Sequence, residues 1–296
     1  MVCASLLIIP GQAGTKERSI RYLSATPKPM SVTLLAPLAA LLYLAATALQ
    51  LLHISQRRQQ VDRGVLALGL TALACHAFLV WHSMLAPEGV NLGFYKVSAL
   101  IFLVINIACI TSLLRRPLQN LLVVLFPLSA MAVMVANYAP PTGQLDTDLS
   151  GGIVLHITSS ILAYAVLSLA AVQSGLLAVQ DHQLRHRHTR GIIQILPPLQ
   201  LMESMLFELL WIGVVLLTLS ILSGFIFIDD IFAQSLVHKT VLTIIAWVLF
   251  SVLLWGHYQL GWRSQTAVRL TLAGFVLLML AFFGSKLVLE LVLQRG

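Results

Sequence analysis

Long runs of apolar residues, separated by short polar stretches, dominate the chain. Eight such runs occupy approximately residues 32–54, 64–84, 93–113, 119–138, 153–180, 205–227, 238–258 and 268–293. Each run has about 20 residues or more, the length that a helix needs to cross a hydrocarbon core of ~30 Å. A helix also satisfies its own backbone hydrogen bonds in lipid, where water is absent. The pattern therefore predicts an all-α polytopic membrane protein, built as a bundle of eight transmembrane helices.

The composition agrees with a membrane protein and argues against other classes. Of the 296 residues, 58% are hydrophobic and only 10% are charged, whereas a soluble domain carries about 25% charged residues. The net charge of +7 therefore indicates membrane topology, with lipid as the surrounding partner, and we expect no nucleic-acid partner. The three cysteines form neither a CxxC pair nor a CxxCH haem-attachment motif, which argues against a c-type cytochrome.

The few charges alternate in sign from one connection to the next. Basic connections hold Arg57, Arg58 and Arg63, then Arg115 and Arg116, then Arg185, Arg187 and Arg190, and finally Arg263. The connections between them are acidic and hold Glu88, Asp146, Asp148, Asp229 and Asp230. Because basic connections tend to stay in the cytoplasm, we expect both termini to face outward.

Residues 1–29 do not fit this arrangement. They hold Lys16, Arg18, Arg21 and Lys28 against a single acid, although the topology places them on the outer side. Met30 stands directly before the first span. We therefore expect residues 1–29 to be a disordered extension or a start-site artefact, and residues 30–296 to form one eight-span membrane domain.

Nine histidines lie along the chain, and ionisable residues within membrane spans are rare and usually functional. Three of them, His82, His156 and His238, fall at the outer ends of spans, and His76 lies ~9 Å deeper than His82 on the same helix. Two imidazoles on neighbouring helices at one depth are able to hold a haem iron between them. Spacing does not decide which two of the outer three would pair. Contact with interfacial water is the alternative explanation for each of them.

The remaining histidines fall on the inner side. His53 and His257 end their spans there. The basic connection holds His182, His186 and His188, where a solvated helix end near anionic head groups is favoured over a metal site.

Ordered motifs run through the second half of the chain. They are residues 155–165 (LHITSSILAYA), 196–199 (LPPL), 202–203 (ME), 206–207 (LF), 217–224 (LTLSILSG), 238–242 (HKTVL), 255–263 (WGHYQLGWR) and 281–285 (AFFGS), with Trp247 between them. Together they resemble the transmembrane cytochrome c assembly family (CcsA-like), in its HemX-like and YpjD-like inner-membrane branch. The resemblance covers about residues 153–286 and extends less specifically to 30–152.

The resemblance implies a multi-pass haem-handling protein of the bacterial inner (plasma) membrane. Members of the family move or present haem for cytochrome c maturation, or bind haem while influencing its biosynthesis. Haem b is therefore the expected cofactor, and cytochrome c maturation or haem-synthesis proteins are the expected partners. The external histidine of the family falls on His156, and the histidine at the cytoplasmic end of a later span falls on His257.

Two departures from the family pattern bear on the activity. Haem-delivering members carry a tryptophan-rich outer segment between the spans equivalent to six and seven, whereas residues 225–237 (FIFIDDIFAQSLV) contain no tryptophan. Those members also carry a second external histidine near the C-terminus, and none follows Phe283. The departures favour an accessory or regulatory role over synthase activity, so we expect the chain not to be an enzyme.

Two other classes of function remain as alternatives. A small-molecule or ion transporter of the inner membrane is suggested by the eight spans and by Asn106 in the middle of span three. That side chain either faces a cavity or packs within the bundle. The other alternative is a scaffold subunit of a larger membrane complex.

Overall fold

The computed structural model describes residues 30–56, 62–86, 89–113, 119–139, 145–146, 150–186, 196–227 and 237–284. The expected extension at residues 1–29 lies outside these ranges, as does His188. Within them the chain forms eight long helices: α1 (Met30–Ser55), α2 (Arg63–Met84), α3 (Phe94–Leu113), α4 (Gln119–Tyr138), α5 (Gly151–Arg185), α6 (Leu199–Phe227), α7 (Val237–Leu260) and α8 (Ser264–Met279). A π-helical turn, Leu280–Gly284, continues α8.

All eight helices are long and apolar enough to cross a membrane, counting the first residues of the π-helical turn with α8. This confirms the predicted all-α, eight-span architecture. The side of the membrane that each end faces stays a prediction of the charge pattern.

Helix α5 is longer than its apolar run predicts. Its 35 residues correspond to about 52 Å of helix, well beyond the ~30 Å of a hydrocarbon core. The Ser150 hydroxyl accepts the Ile153 N–H at its start, and Arg185 pairs with Asp181 at 3.2 Å at its end. Such i,i+4 pairs stabilise a polar stretch of helix. The helix therefore continues to Arg185, past the predicted end at residue 180, where hydropathy gives no signal.

The helices pack as two groups of four. In the first group, α1 lies against α2 and α4, and α3 lies against α4. In the second, α5 packs along α6 and against α8, while α7 lies against α8 and α6. Contacts of α3 and α4 with α5 join the groups, and one large apolar core runs through both.

Asn106 packs within the first group. It is fully buried, and its amide donates to the Ser129 hydroxyl on α4 at 2.5 Å and to the Phe102 carbonyl at 2.8 Å. Hydrogen bonds of this kind link helices in lipid. Of the two interpretations of Asn106, the structure therefore favours packing between α3 and α4, which weakens the transporter alternative.

A small antiparallel sheet caps one end of the bundle, although the sequence pattern did not predict it. Its strands are β1 (Leu85–Ala86), β2 (Gly89–Asn91) and β3 (Leu145–Asp146), in the order β1-β2-β3. Leu85 pairs with Val90, which in turn pairs with Asp146. The sheet ties the α2–α3 connection to the segment that leads into α5.

The close approach of α5 and α6 depends on Gly213. A Cβ at this position would lie 2.5 Å from Cδ2 of Leu167 on α5, so no larger residue fits without movement. Small residues at helix contacts are the usual device by which membrane helices approach closely.

We expect Gly213→Ala to lower the free energy of unfolding by about 1–3 kcal/mol, because overpacking displaces side chains. The measurement is the midpoint of unfolding in detergent, followed by tryptophan fluorescence. Gly175→Ala is the matched control, because a Cβ there meets nothing within 4 Å. Equal midpoints for the two variants would contradict the role assigned to Gly213.

Candidate functional site

The three histidines predicted at one level lie at one end of the bundle. His82 lies near the end of α2, whereas His156 and His238 lie near the starts of α5 and α7. Because successive spans run in opposite directions, these positions share an end, here called the His156 end. The β-sheet caps the same end, since β1 directly follows α2 and β3 lies shortly before α5.

His156 is held in a defined orientation by a backbone carbonyl of α6. Its Nδ1 lies 2.8 Å from the carbonyl oxygen of Ser220. A carbonyl oxygen only accepts, so Nδ1 carries the hydrogen and donates it. In the neutral ring, Nε2 then carries the lone pair that binds metals. A hydrogen bond of this type fixes both ring orientation and tautomer in metal-ligating histidines.

Hydroxyl groups and a glycine support this contact. The Ser160 hydroxyl donates to the His156 carbonyl at 2.6 Å and also lies 2.6 Å from the Ser220 hydroxyl. On α6, a Cβ at Gly224 would stand 3.1 Å from both Cε1 and Nδ1 of the imidazole. The ring thus fits against α6 because residue 224 has no side chain.

An aromatic cluster with a cation above it lies in the same region of the second group. The Tyr164 ring contacts the rings of Phe275 and Phe282 at centroid distances of 5.8 and 5.5 Å. Lys239, in the first turn of α7, holds its Nζ 5.3 Å from the centroid of Phe282. Its charge also lies within electrostatic range of the His156 ring. Phe282 belongs to the π-helical turn, a feature often found at functional sites.

His82 and His238 are less fixed than His156. Both side chains are exposed, and neither makes a hydrogen bond to the residues that the structure describes. His82 contacts Phe78 at 6.2 Å between ring centroids and belongs to the first helix group. His238 directly precedes Lys239 and belongs to the second group with His156. The choice of a pair among the three stays a prediction.

His257 lies at the opposite end, where α7 ends. Its Nδ1 lies 2.9 Å from the Trp262 carbonyl, so this ring too donates through Nδ1. The ring stacks on Phe207 of α6 with centroids 3.5 Å apart and an angle of 16° between the planes. His257 therefore shares with His156 the anchoring that leaves the Nε2 lone pair available.

Glu203 links α6 to the start of α8 at the His257 end, a role that the sequence did not indicate. Its carboxylate is buried, lies 3.5 Å from Nε of Arg263 and accepts the Ser264 N–H at 3.4 Å. Ser264 has a positive φ of 36°, so the ion pair and hydrogen bond hold a tight connection between α7 and α8.

The other histidines that the structure describes have different surroundings. His76 is fully buried and shares a 3.2 Å hydrogen bond with the Tyr43 hydroxyl, while His53 lies 3.6 Å from Asp62. The rings of His182 and His186 lie 4.4 Å apart. Among the residues that the structure describes, no group of three His, Cys, Asp or Glu side chains is arranged to hold a metal ion.

The chain matches known proteins over most of its length. A family model described as Cytochrome C assembly protein matches residues 65–293. The Inner membrane protein YpjD of Escherichia coli is 32% identical, over 87% of this chain and 98% of that protein. The Cytochrome c biogenesis protein CcsA of Prochlorococcus marinus is 25% identical, over 87% of this chain and 93% of that protein.

A third relative matches a shorter region. Protein HemX of Brevibacillus brevis is 24% identical, over 45% of this chain and 49% of that protein. No solved structure matches the chain. The resemblance inferred from the second half is thereby confirmed, and the matched region begins earlier, at residue 65. With its eight apolar helices, the chain is a multi-pass protein of the inner membrane.

Gly224→Ala is expected to displace the His156 ring from the Ser220 carbonyl, because the added methyl group would press on Cε1 and Nδ1. The Nδ1–H tautomer of His156 should then lose population. Nitrogen NMR of histidine-labelled protein measures this, with the His156 signals assigned by their loss in His156→Gln. Gly175→Ala should leave the signals unchanged, and an unchanged tautomer in Gly224→Ala would refute the contact.

Proposed function

The chain belongs to the cytochrome c assembly protein family, which gives it a general role in cytochrome c assembly or haem handling; from this premise we propose that it binds haem b at the His156 end. In the proposal, His156 is an axial ligand of the iron. The protein acts as an accessory or regulatory haem-handling protein and is not an enzyme.

The observation that carries the proposal is the hydrogen bond from His156 Nδ1 to the Ser220 carbonyl. Haem iron binds a neutral imidazole through a nitrogen lone pair, and this bond assigns that lone pair to Nε2. A second-sphere hydrogen bond also makes the ligand more basic and keeps its ring oriented. The donor chemistry at His156 therefore fits haem iron.

Aromatic residues of the second helix group would pack on the rest of the cofactor. A porphyrin is a large flat apolar ring, and the half-buried Phe282, which rests on the buried Tyr164, offers it an aromatic surface. When bound, haem supplies an iron centre able to take two axial ligands. The chain's own task is to orient the imidazole, exclude water from the ring faces and hold the carboxylates.

His238 is the favoured second ligand. It lies on α7, adjacent in sequence to Lys239, whose charge acts on the His156 ring. His82 lies in the other helix group, on α2, which packs chiefly on α1 and α3. His257, anchored at the opposite end, is proposed as an inner-side ligand for haem that enters or leaves there.

The accessory role follows from what the sequence lacks relative to haem-delivering members of the family. Residues 225–237 contain no tryptophan, so the expected platform for presenting haem to an apocytochrome is missing from that segment. Proteins of cytochrome c maturation or of haem synthesis are then the partners that would receive or respond to the bound haem.

The two alternative functions, a transporter and a scaffold subunit, predict different properties. A transporter is expected to use polar groups that face a pathway, but Asn106 bonds to Ser129 between packed helices. A scaffold subunit would keep its partners whether or not its histidines are intact. Dependence of function on His156 therefore separates the proposal from both.

In the main test, haem-replete protein is expected to show a Soret band that His156→Ala weakens. Haem affinity should fall by at least the ~100-fold that is the upper range for losing only an outer-shell partner of a ligand. Adding free imidazole should restore the band, because it replaces the missing ligand. His182→Ala is the control, since it lies on the polar end of the same helix. If the wild-type protein binds no haem, or if His156→Ala leaves the Soret band unchanged, the proposal is wrong.

The second ligand is tested by comparing two exposed histidines. His238→Ala should convert a six-coordinate low-spin spectrum into a five-coordinate high-spin one, because one axial bond is lost while His156 remains. His82→Ala should leave the spectrum unchanged. If His82→Ala gives the conversion and His238→Ala does not, the assignment of the second ligand is reversed.

A further inference from the structure

We propose that Lys239 binds a propionate carboxylate of the haem, and so selects a porphyrin that carries free acid groups. The inference rests on the proposed function and adds to it a group that recognises the charged edge of the ligand. The iron is held by imidazole, the ring by aromatic side chains, and the acid edge by an ammonium group.

Lys239 lies beside the aromatic cluster of the second helix group. Its Nζ stands 5.3 Å from the centroid of Phe282, and Phe282 contacts Tyr164 in the aromatic cluster. The ammonium is also near enough to the His156 ring to act on it electrostatically. One cation therefore contacts the aromatic cluster and acts on the candidate iron ligand, as recognition of a porphyrin with acid groups at its rim would require.

The local charge at Lys239 favours an anionic ligand. Lys239 lies in the first turn of α7, and neither α7 nor α5, as described, has an acidic side chain in its first turn. The positive end of a helix dipole favours an anion there. Helices α6 and α8 end at the same level and oppose this effect, so the ammonium of Lys239 is the local charge on which the inference relies. An ammonium attracts a carboxylate and disfavours a ligand cation.

The competing explanation is that Lys239 reaches toward lipid head groups, as lysines near span ends commonly do. Lys96 provides the comparison, because it is also the third residue of its helix, α3, at the same end of the bundle. It belongs to the first helix group, whereas Tyr164 and Phe282 belong to the second. A lipid-directed role predicts the same behaviour for both lysines, whereas carboxylate recognition is confined to Lys239.

The experiment titrates purified full-length protein in detergent with haem and, separately, with haem dimethyl ester, which keeps the iron and ring but lacks the two charges. Wild-type protein should bind haem about tenfold more tightly than the ester, since a bond between charged groups is worth that much. Lys239→Met should bring the ratio of the two affinities close to one. Lys239→Arg should keep most of the preference.

Because the ratio is taken within each variant, a general loss of folded protein cancels. Lys96→Met should keep the wild-type ratio. Equal affinity of wild-type protein for haem and the ester would overturn the inference, as would an unchanged ratio in Lys239→Met. Either result leaves haem binding through His156 standing. Failure of the wild-type protein to bind either compound would instead remove the proposed function, and the inference with it.

Discussion

The contact between His156 and the Ser220–Gly224 turn of α6 is the constraint on which the candidate site depends. Within a helix, the carbonyl of residue 220 normally serves the N–H of residue 224, and the Ser223 hydroxyl also donates to it at 3.0 Å. Gly224 leaves room for the imidazole at this oxygen, since a Cβ there would stand 3.1 Å from Cε1 and Nδ1. Helix packing therefore favours one tautomer, because it holds Nδ1 of a ring on α5 against a carbonyl oxygen of α6.

The membrane environment raises the importance of such contacts. In a medium without water, an imidazole with an unsatisfied Nδ1–H costs free energy that a carbonyl bond recovers. Two hydrogen bonds between helices have the same effect: the Asn106 amide N–H donates to Ser129, and the Trp247 indole donates to Thr218 at 2.8 Å. The second of these bonds joins α6 to α7. Trp247 is thus a packing residue, although a tryptophan in such a protein is more often an interface anchor.

The sequence predicted the eight spans because helices in lipid need long apolar runs, and the hydropathy and length of the runs are enough to reveal them. It did not predict the sheet, since strands of two or three residues leave no pattern. It also ended α5 too early, because the polar stretch before Arg185 is invisible to hydropathy. For the site, the sequence indicated His156 and its level, but the acceptor on α6 is a backbone carbonyl, which no residue type encodes. The sequence did not single out Lys239 either, because the aromatic ring that it contacts, Phe282, is more than 40 residues away in the chain.

The two ends of the bundle repeat one arrangement, and this repetition argues that the arrangement is functional. His156 and His257 each donate Nδ1–H to a carbonyl outside their own helical turn. Each also packs against α6, through Gly224 at one end and Phe207 at the other. A histidine that served only to meet interfacial water would need neither an oriented ring nor a fixed tautomer. His156 of α5 and His257 of α7 therefore both lie against α6, at opposite ends of the bundle, and each has its Nδ1 hydrogen bonded to a backbone carbonyl.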